Sequence, residues 1–390
     1  MGKPERIDRK QTHHAASHAR LSASSSKRWM NCPRSVALSE QCGGDTTSNY
    51  AEEGREAHLL GEYKIKQALG IPAKDPVASL QFYNEEMDSC ATDYAVFIFE
   101  LIDKAYRACP DPAWFLEQRV DFSAYVPDGF GTCDTVIVAD GTLQIVDYKH
   151  GAGVLVEACE NPQLMLYGLG ALHMFDGIYN IEHVYMTIFQ PRRHSVTNYE
   201  LTPAELYKWA EEELKPAAEL AHRGQGSFKA GDWCQFCKAK AQCRARADAN
   251  MELAAYDFEE PALLGDDEIA GILGNLDALV SWAGDVKDFS LAEALKGRQY
   301  EGWKVVAGRS NRKYTDESAV AEMVKASGAD PYEHKLLGIT AMEKTLGKKK
   351  FVELLGGLVH KPPGKPVLVP ATDKRGQLTI TTAADDFATE

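Results

Sequence analysis

Two carboxylates and an amine stand out in the stretch GTCDTVIVADGTLQIVDYKHG at residues 131–151: Asp134, Asp147 and Lys149. Carboxylate oxygens hold hard divalent cations, and an ammonium beside them can steady the negative charge that builds during hydrolysis. β-Rich runs at 132–139 and 142–149 flank Asp140-Gly141, a two-residue hairpin signal. A turn there sets Asp134 opposite Asp147, Val136 opposite Ile145 and Val138 opposite Leu143. Facing aspartates would lie roughly 5 Å apart at Cβ, which is destabilising unless something neutralises them. Lys149 falls on the same face, because strand side chains alternate with period 2. The apolar pairs beside them argue that this face is buried. A divalent-metal site of a hydrolase is the expectation, and a hairpin end with solvated charges is the bland alternative.

Further polar residues stand on either side of the hairpin. His58 lies in EEGREAHLLGE, Glu117 in FLEQRVDF, and Gln163 and Tyr167 in PQLMLYGLG. Gln163 and Tyr167 are four apart and share a helix face, whereas Leu164, Leu166, Leu169 and Leu172 follow helical spacing and read as packing. Taken singly, each polar residue reads as an ordinary surface or packing contact. Their order says more. A histidine on an early helix, then G-x-x-D, D-Y-K-x-G and Q-x-x-x-Y, resembles the PD-(D/E)XK nuclease superfamily, and most closely its RecB-like group.

That resemblance implies a restriction-endonuclease-like α/β core, a mixed sheet flanked by helices. It implies that His58, Asp134 and Asp147 bind Mg²⁺ or Mn²⁺, with the histidine favouring tolerance of Mn²⁺. Lys149 would position a water or steady the pentacovalent charge, and Gln163 and Tyr167 would hold the scissile strand or orient Lys149. Glu117 falls where these nucleases often carry an acidic residue.

The nine cysteines form a second constellation. Cys234, Cys237 and Cys243 make C-x₂-C-x₅-C in GDWCQFCKAKAQC, a spacing suited to chelation rather than to disulfide bonding. A fourth ligand is needed; Cys32 is the first candidate and Cys42 the second. Zinc is the generic occupant of four cysteines but usually takes two C-x₂-C pairs. One cysteine upstream and three downstream resemble the iron–sulfur nucleases of the AddB and CRISPR-adaptation exonuclease types. That implies a [4Fe–4S] cluster stapling a loop of about 200 residues. Cys90, Cys109, Cys133 and Cys159 show no such spacing.

The 390 residues are 44% apolar, enough for a sizeable core. Without a secretion signal or a bilayer-length apolar run, the chain is expected in the cytoplasm; the layout from about Met251 onward resembles the tail of phage and prophage nucleases of the same group, which implies a phage or prophage gene in a bacterial host. Residues 1–27, with His13, His14 and His18, read as a flexible arm, 28–250 as the nuclease domain, and 251–390 as a mainly helical extension separable from catalysis. Helical pattern covers 51–69, 82–109, 203–223 and 266–296. Strands are expected at 115–122, in the hairpin and at 184–190, with a strand-like patch at 303–306. A basic cluster, Lys344 and Lys348 to Lys350, follows, and the acidic tail TTAADDFATE reads as disordered.

A net charge of −14 excludes a broadly basic DNA-binding surface, so any groove must be local, with Arg192, Arg193 and the residues around the cysteine triplet as candidates. The expected activity is a metal-dependent DNA exonuclease acting in phage recombination or replication. Its partners would be single-stranded or duplex DNA ends and a phage single-strand-binding or annealing protein, with no membrane. An endonuclease, or a catalytically silent DNA-binding scaffold on the same fold, is the alternative.

Overall fold

The computed structural model describes residues 19–42, 49–252, 265–307, 314–332 and 336–360, together with Val369 and Gly376. Five strands, β1 (Ala113–Asp121), β2 (Phe130–Ala139), β3 (Gly141–Tyr148), β4 (Ile181–Gln190) and β5 (Ser195–Leu201), form one sheet in the order β1-β2-β3-β4-β5. β3 and β4 run parallel and the other pairs antiparallel. The hairpin closes where its turn residues place it. Gly141 takes φ 86°, a left-handed angle that suits glycine, and Val136 faces Ile145 and Val138 faces Leu143.

Period-2 alternation then sorts the strands into two buried faces. Val136, Val138, Leu143, Ile145, Val184, Met186 and Ile188 pack with α5 (Pro162–Phe175), α6 (Pro203–Trp209) and α7 (Lys215–His222). Ile137, Val146, Tyr148 and Phe189 pack with α3 (Asn49–Ala68) and α4 (Glu85–Ala108) on the other side. The chain is thus a mixed α/β sheet covered on both faces, which fits a restriction-endonuclease-like core. No helix among the described residues is long and apolar enough to cross a membrane.

Four expectations are corrected. Ala19 to Lys27 are not part of an arm: Leu21 and Ala23 are buried in the main core, and α1 (Ser26–Asn31) and α2 (Ser35–Gln41) follow directly. A serine-rich stretch hides these few apolar anchors. Residues 1–18, with His13, His14 and His18, lie outside the described residues, as do the acidic tail and most of 361–376. β5 went unforeseen because its polar residues alternate with half-buried ones at a sheet edge. The 303–306 patch forms no strand, and Trp303 is exposed.

The remaining correction concerns the domain boundary. The chain divides into compact units at 1–292 and 293–390 rather than at 250/251. α8 (Arg244–Met251) carries Arg246, whose buried guanidinium lies 2.6 Å from Asp285 on α9 (Asp266–Leu295); Lys240 lies 2.7 Å from the same carboxylate. Those ion pairs keep most of α9 with the first unit. The second unit contains α10 (Glu317–Ala326), α11 (Ile339–Leu346) and α12 (Lys348–Leu355), so the extension is helical, as expected.

Candidate metal centre

Each side chain reaches the centre by a different local device. His58 comes from α3, and its ring lies 5.4 Å from that of Tyr148. Asp134 and Asp147 come from the hairpin, and Lys149 follows the end of β3. Gln163 stands in the first turn of α5, where Asn161 caps the helix by accepting the Gln163 N–H. Glu117 lies in β1 between residues paired with Thr135 and Cys133, so it sits beside Asp134. Its φ of 49° is left-handed, a conformation that costs a side-chain-bearing residue on the order of 1–2 kcal/mol. Such strain often marks a functional position.

The contacts join the expected residues into one network. His58 Nδ1 lies 3.2 Å from Asp134 Oδ1, and Asp134 Oδ2 accepts the Tyr148 N–H at 2.7 Å. Asp147 Oδ1 accepts from Gln163 Nε2 at 2.9 Å, while the Gln163 Oε1 accepts from Lys149 Nζ at 3.2 Å. The Gln163 Nε2 also lies 3.2 Å from the Tyr167 hydroxyl. Asp147 Oδ2 is 2.8 Å from Lys149 Nζ, so the ammonium already answers the charge of this buried oxygen.

The tightest potential ligand group differs from the expected trio. Ligand atoms of His58, Glu117 and Asp134 all lie within 4.8 Å of one another, whereas Asp147 is outside that group and is held by Lys149 and Gln163. Glu117, expected as an acidic residue near the site, stands opposite Asp134 in an unshifted β1–β2 register, with a left-handed φ at that one residue.

Electrostatics match the crowding. Burial pulls the His58 imidazole down, but the Asp134 carboxylate beside it, with Asp147, more than offsets this and pushes it up to about 9. Loss of solvation, then the Asp134 charge, pushes the Glu117 carboxyl up to about 7, although part of the residue remains open to solvent. Burial raises both aspartates; the neighbouring His58 brings Asp134 below the ordinary range, while Asp147, close to Asp134, stays above it despite Lys149. Burial works against the Lys149 ammonium, but Asp147 and Asp134 hold its pKa above the usual lysine value. Lys149 is therefore charged at neutral pH and suited to steady an anion, not to accept a proton.

One glycine is part of the site. A Cβ on Gly131 would lie 2.7 Å from Tyr167 Cε1, and Tyr167 is buried. The glycine of G-x-x-D is thus the space into which Tyr167 closes. Gly131→Ala should destabilise the fold by about 1–3 kcal/mol, as overpacking does, read from denaturant unfolding. Unchanged stability would mean the ring yields freely.

The cysteines gather elsewhere in the same unit. Cys32 caps the end of α1, Cys234 and Cys237 lie in and after the turn Asp232–Phe236, and Cys243 caps the start of α8. All four line one cavity with Arg28, Lys229, Lys240, Arg246, Phe228 and Trp233; Cys42 is not among its lining residues. The Lys229 N–H lies 3.4 Å from Cys32 Sγ. Among the described residues, no three of these thiols come within 4.8 Å of one another.

The profile of the family described as "Protein of unknown function (DUF2800)" matches residues 18–376. This chain belongs to the DUF2800 family. A solved structure described as "Crystal structure of SSO0001" is similar at 14% identity, over 50% of this chain and 98% of that one, with a TM-score of 0.23. At that score the likeness supports no inference.

In this DUF2800 chain, Arg192 is engaged by two carboxylates. Its guanidinium lies 3.1 Å from both Glu53 and Glu86 and is mostly covered. Arg193 is exposed and donates to the Ala152 carbonyl at 3.2 Å.

The raised groups set a pH dependence. His58 moves from 6.5 to about 9 and Glu117 from 4.5 to about 7. Each folded-state value lies above the unfolded one, so each contributes stability that is full below its ordinary pKa and lost as pH rises through the folded value. A divalent ion that takes the place of the His58 proton and offsets the carboxylates should stabilise this DUF2800 protein more as pH rises. Thermal melts with and without Mn²⁺ should show a larger metal-induced rise at about pH 8.5 than at about pH 6. A smaller rise at the higher pH would contradict the ligand assignment.

Proposed function

We propose that this protein is a metal-dependent DNA nuclease, a phosphodiesterase that acts as an exonuclease on DNA ends. The observation that carries this reading is the convergence of His58, Glu117 and Asp134 beside Asp147, which is paired with Lys149. The order of landmarks that resembles RecB-like nucleases supports it. Carboxylates and an imidazole suit Mg²⁺ or Mn²⁺. Such an ion would lower the pKa of a coordinated water and polarise a phosphoryl oxygen.

The chain's own residues supply the remaining steps. Lys149, held protonated by Asp147 and Asp134, offers its ammonium to the charge that builds on phosphate oxygens. Gln163 fixes Asp147 and Lys149 relative to one another through its two amide atoms, and Tyr167 fixes Gln163 in turn. Lys149 and Gln163 are also the groups placed to meet the scissile strand.

The cysteine cavity supports a [4Fe–4S] staple in preference to zinc. Tetrahedral zinc with Zn–S bonds of about 2.3 Å draws its thiolates to roughly 3.8 Å of one another, and these thiols are spread more widely. Arg28, Lys229, Lys240 and Arg246 line the cavity, the last two also paired with Asp285, which leaves a cationic surrounding suited to thiolates.

The test of the nuclease reading uses end-labelled linear DNA and covalently closed circular DNA, each with Mn²⁺ or with chelator. Loss of the linear substrate alone, and only with metal, is expected. Nicking of the closed circle would make the protein an endonuclease. Inertness toward both would leave a silent scaffold and overturn the proposal.

A further inference from the structure

His150, two residues beyond the end of β3, is buried and takes no part in the candidate site itself. Its Nδ1 lies 3.0 Å from the Tyr148 hydroxyl, and its Nε2 lies 3.7 Å from Glu53 Oε1. Glu53 stands near the start of α3, the helix that carries His58. The same Glu53 oxygen accepts from Arg192 Nη1 at 3.1 Å, while Arg192 Nη2 lies 3.1 Å from Glu86 in the first turn of α4. Arg192 itself sits in the turn Pro191–Arg193 that follows β4. One mostly covered guanidinium thus joins the starts of two helices to one end of the sheet.

The contacts return to the metal centre. Tyr148 gives its N–H to Asp134 Oδ2, its ring lies 5.4 Å from that of His58, and its hydroxyl meets His150. Asp134 Oδ1 lies 3.2 Å from His58 Nδ1. From Glu53 the path therefore runs through His150, Tyr148 and Asp134 to His58, and α3 closes it.

The helix pair needs such an anchor. Ala57, Leu60 and Ile65 of α3 are buried with Tyr94 and Tyr148, but apolar burial is non-directional and does not by itself aim His58. Glu56 accepts the Gln81 and Phe82 N–H groups, and Lys64 lies 2.8 Å from Asp88, so these contacts tie α3 to α4 and the segment before it. The Tyr94 hydroxyl, 2.9 Å from Thr135 Oγ1, pins the pair to the sheet at one point. A single point leaves rotation about it open. Arg192 supplies a second, and it grips both helices.

We propose that Glu53 and Arg192 are positioning residues, a clamp that sets α3 against the sheet so that His58 can share a metal ion with Asp134 and Glu117. This rests on the metal centre of the nuclease reading and adds the device that aligns its histidine. Groups that orient a metal ligand without touching the ion are worth about 10–100-fold in metal affinity.

The test is a double-variant cycle on the full-length protein, read as Mn²⁺ affinity by isothermal titration. Glu53→Gln keeps the shape of the side chain and removes the charge that Arg192 grips; it should weaken Mn²⁺ binding about 10–100-fold. In a His58→Ala background, where the ligand to be aimed is gone, the same change should cost less than about twofold, because the two losses are one loss. Arg192→Gln breaks the pair from the other side and should repeat both results, which decides the matter where Glu53→Gln fails to fold. Unchanged Mn²⁺ affinity in a folded variant would overturn the clamp. Equal losses with and without His58 would also overturn it, since they mark a general support of the fold. A wild type that binds Mn²⁺ yet cleaves no DNA would overturn the nuclease reading and leave the clamp to stand or fall by the cycle; a wild type that binds no Mn²⁺ would overturn both.

Discussion

Lys149→Ala is expected to lower DNA cleavage about 10²–10³-fold, the loss seen when a donor to developing charge is removed, while Mn²⁺ binding persists. Asp134→Ala should lose cleavage and metal binding together. The difference follows from geometry. Asp134 belongs to the ligand group with His58 and Glu117, whereas Lys149 contacts Asp147 and Gln163 and offers no electron pair while protonated. Both variants should stay folded, judged by circular dichroism, because Val136, Val138, Leu143 and Ile145 still build the core beneath them. Cleavage retained in Asp134→Ala would remove it from the ligand set. Metal binding lost in Lys149→Ala would mean that the lysine organises the site rather than the chemistry.

The second large effect concerns Cys32, Cys234, Cys237 and Cys243. Protein purified without oxygen should be brown with broad absorption near roughly 400 nm, from thiolate-to-iron charge transfer. Alanine at any of the four should bleach the colour and lower stability by up to about 5 kcal/mol, the scale for cross-linking a loop of this length. Cys42→Ala should do neither; burial and then the charges of nearby Cys237 and Cys243 push its thiol up, so this variant separates a ligand from a neighbour. About one zinc and no iron, in protein made with ample iron and without oxygen, would contradict the cluster and leave the nuclease reading standing.

The parts legible in the sequence are those where local chemistry and burial agree. Asp140-Gly141 between alternating strands specifies the hairpin, and its register follows, with Thr135 opposite Val146 and Ala139 opposite Thr142. The direct pair Asp134–Asp147 lies one step beyond that ladder, because Asp134 Oδ2 takes the Tyr148 N–H instead. α3 and α4 follow their apolar periodicity to within three residues at each end. Three features were hidden for physical reasons. Trp29, Leu21 and Ala23 anchor a segment whose composition is otherwise that of a polar arm. Glu117 is expected near the site but not as a ligand; its place beside His58 and Asp134 comes with a left-handed backbone angle that no spacing rule encodes. Asp285 reaches back to Arg246 and Lys240 from a helix that reads as the start of a separate extension. Ionic contacts between distant segments leave no periodic trace.

The most direct measurement is release of nucleotides from end-labelled linear DNA by wild type and Asp147→Ala, purified side by side and assayed with Mn²⁺ or with chelator. Asp147 is buried and anchors both Lys149 and Gln163. Wild type with Mn²⁺ should release nucleotides steadily, and chelated wild type and Asp147→Ala should both fall to background. Equal, robust release by Asp147→Ala, with contaminating nuclease excluded, would show that this carboxylate is not part of the machinery and would contradict the proposed site.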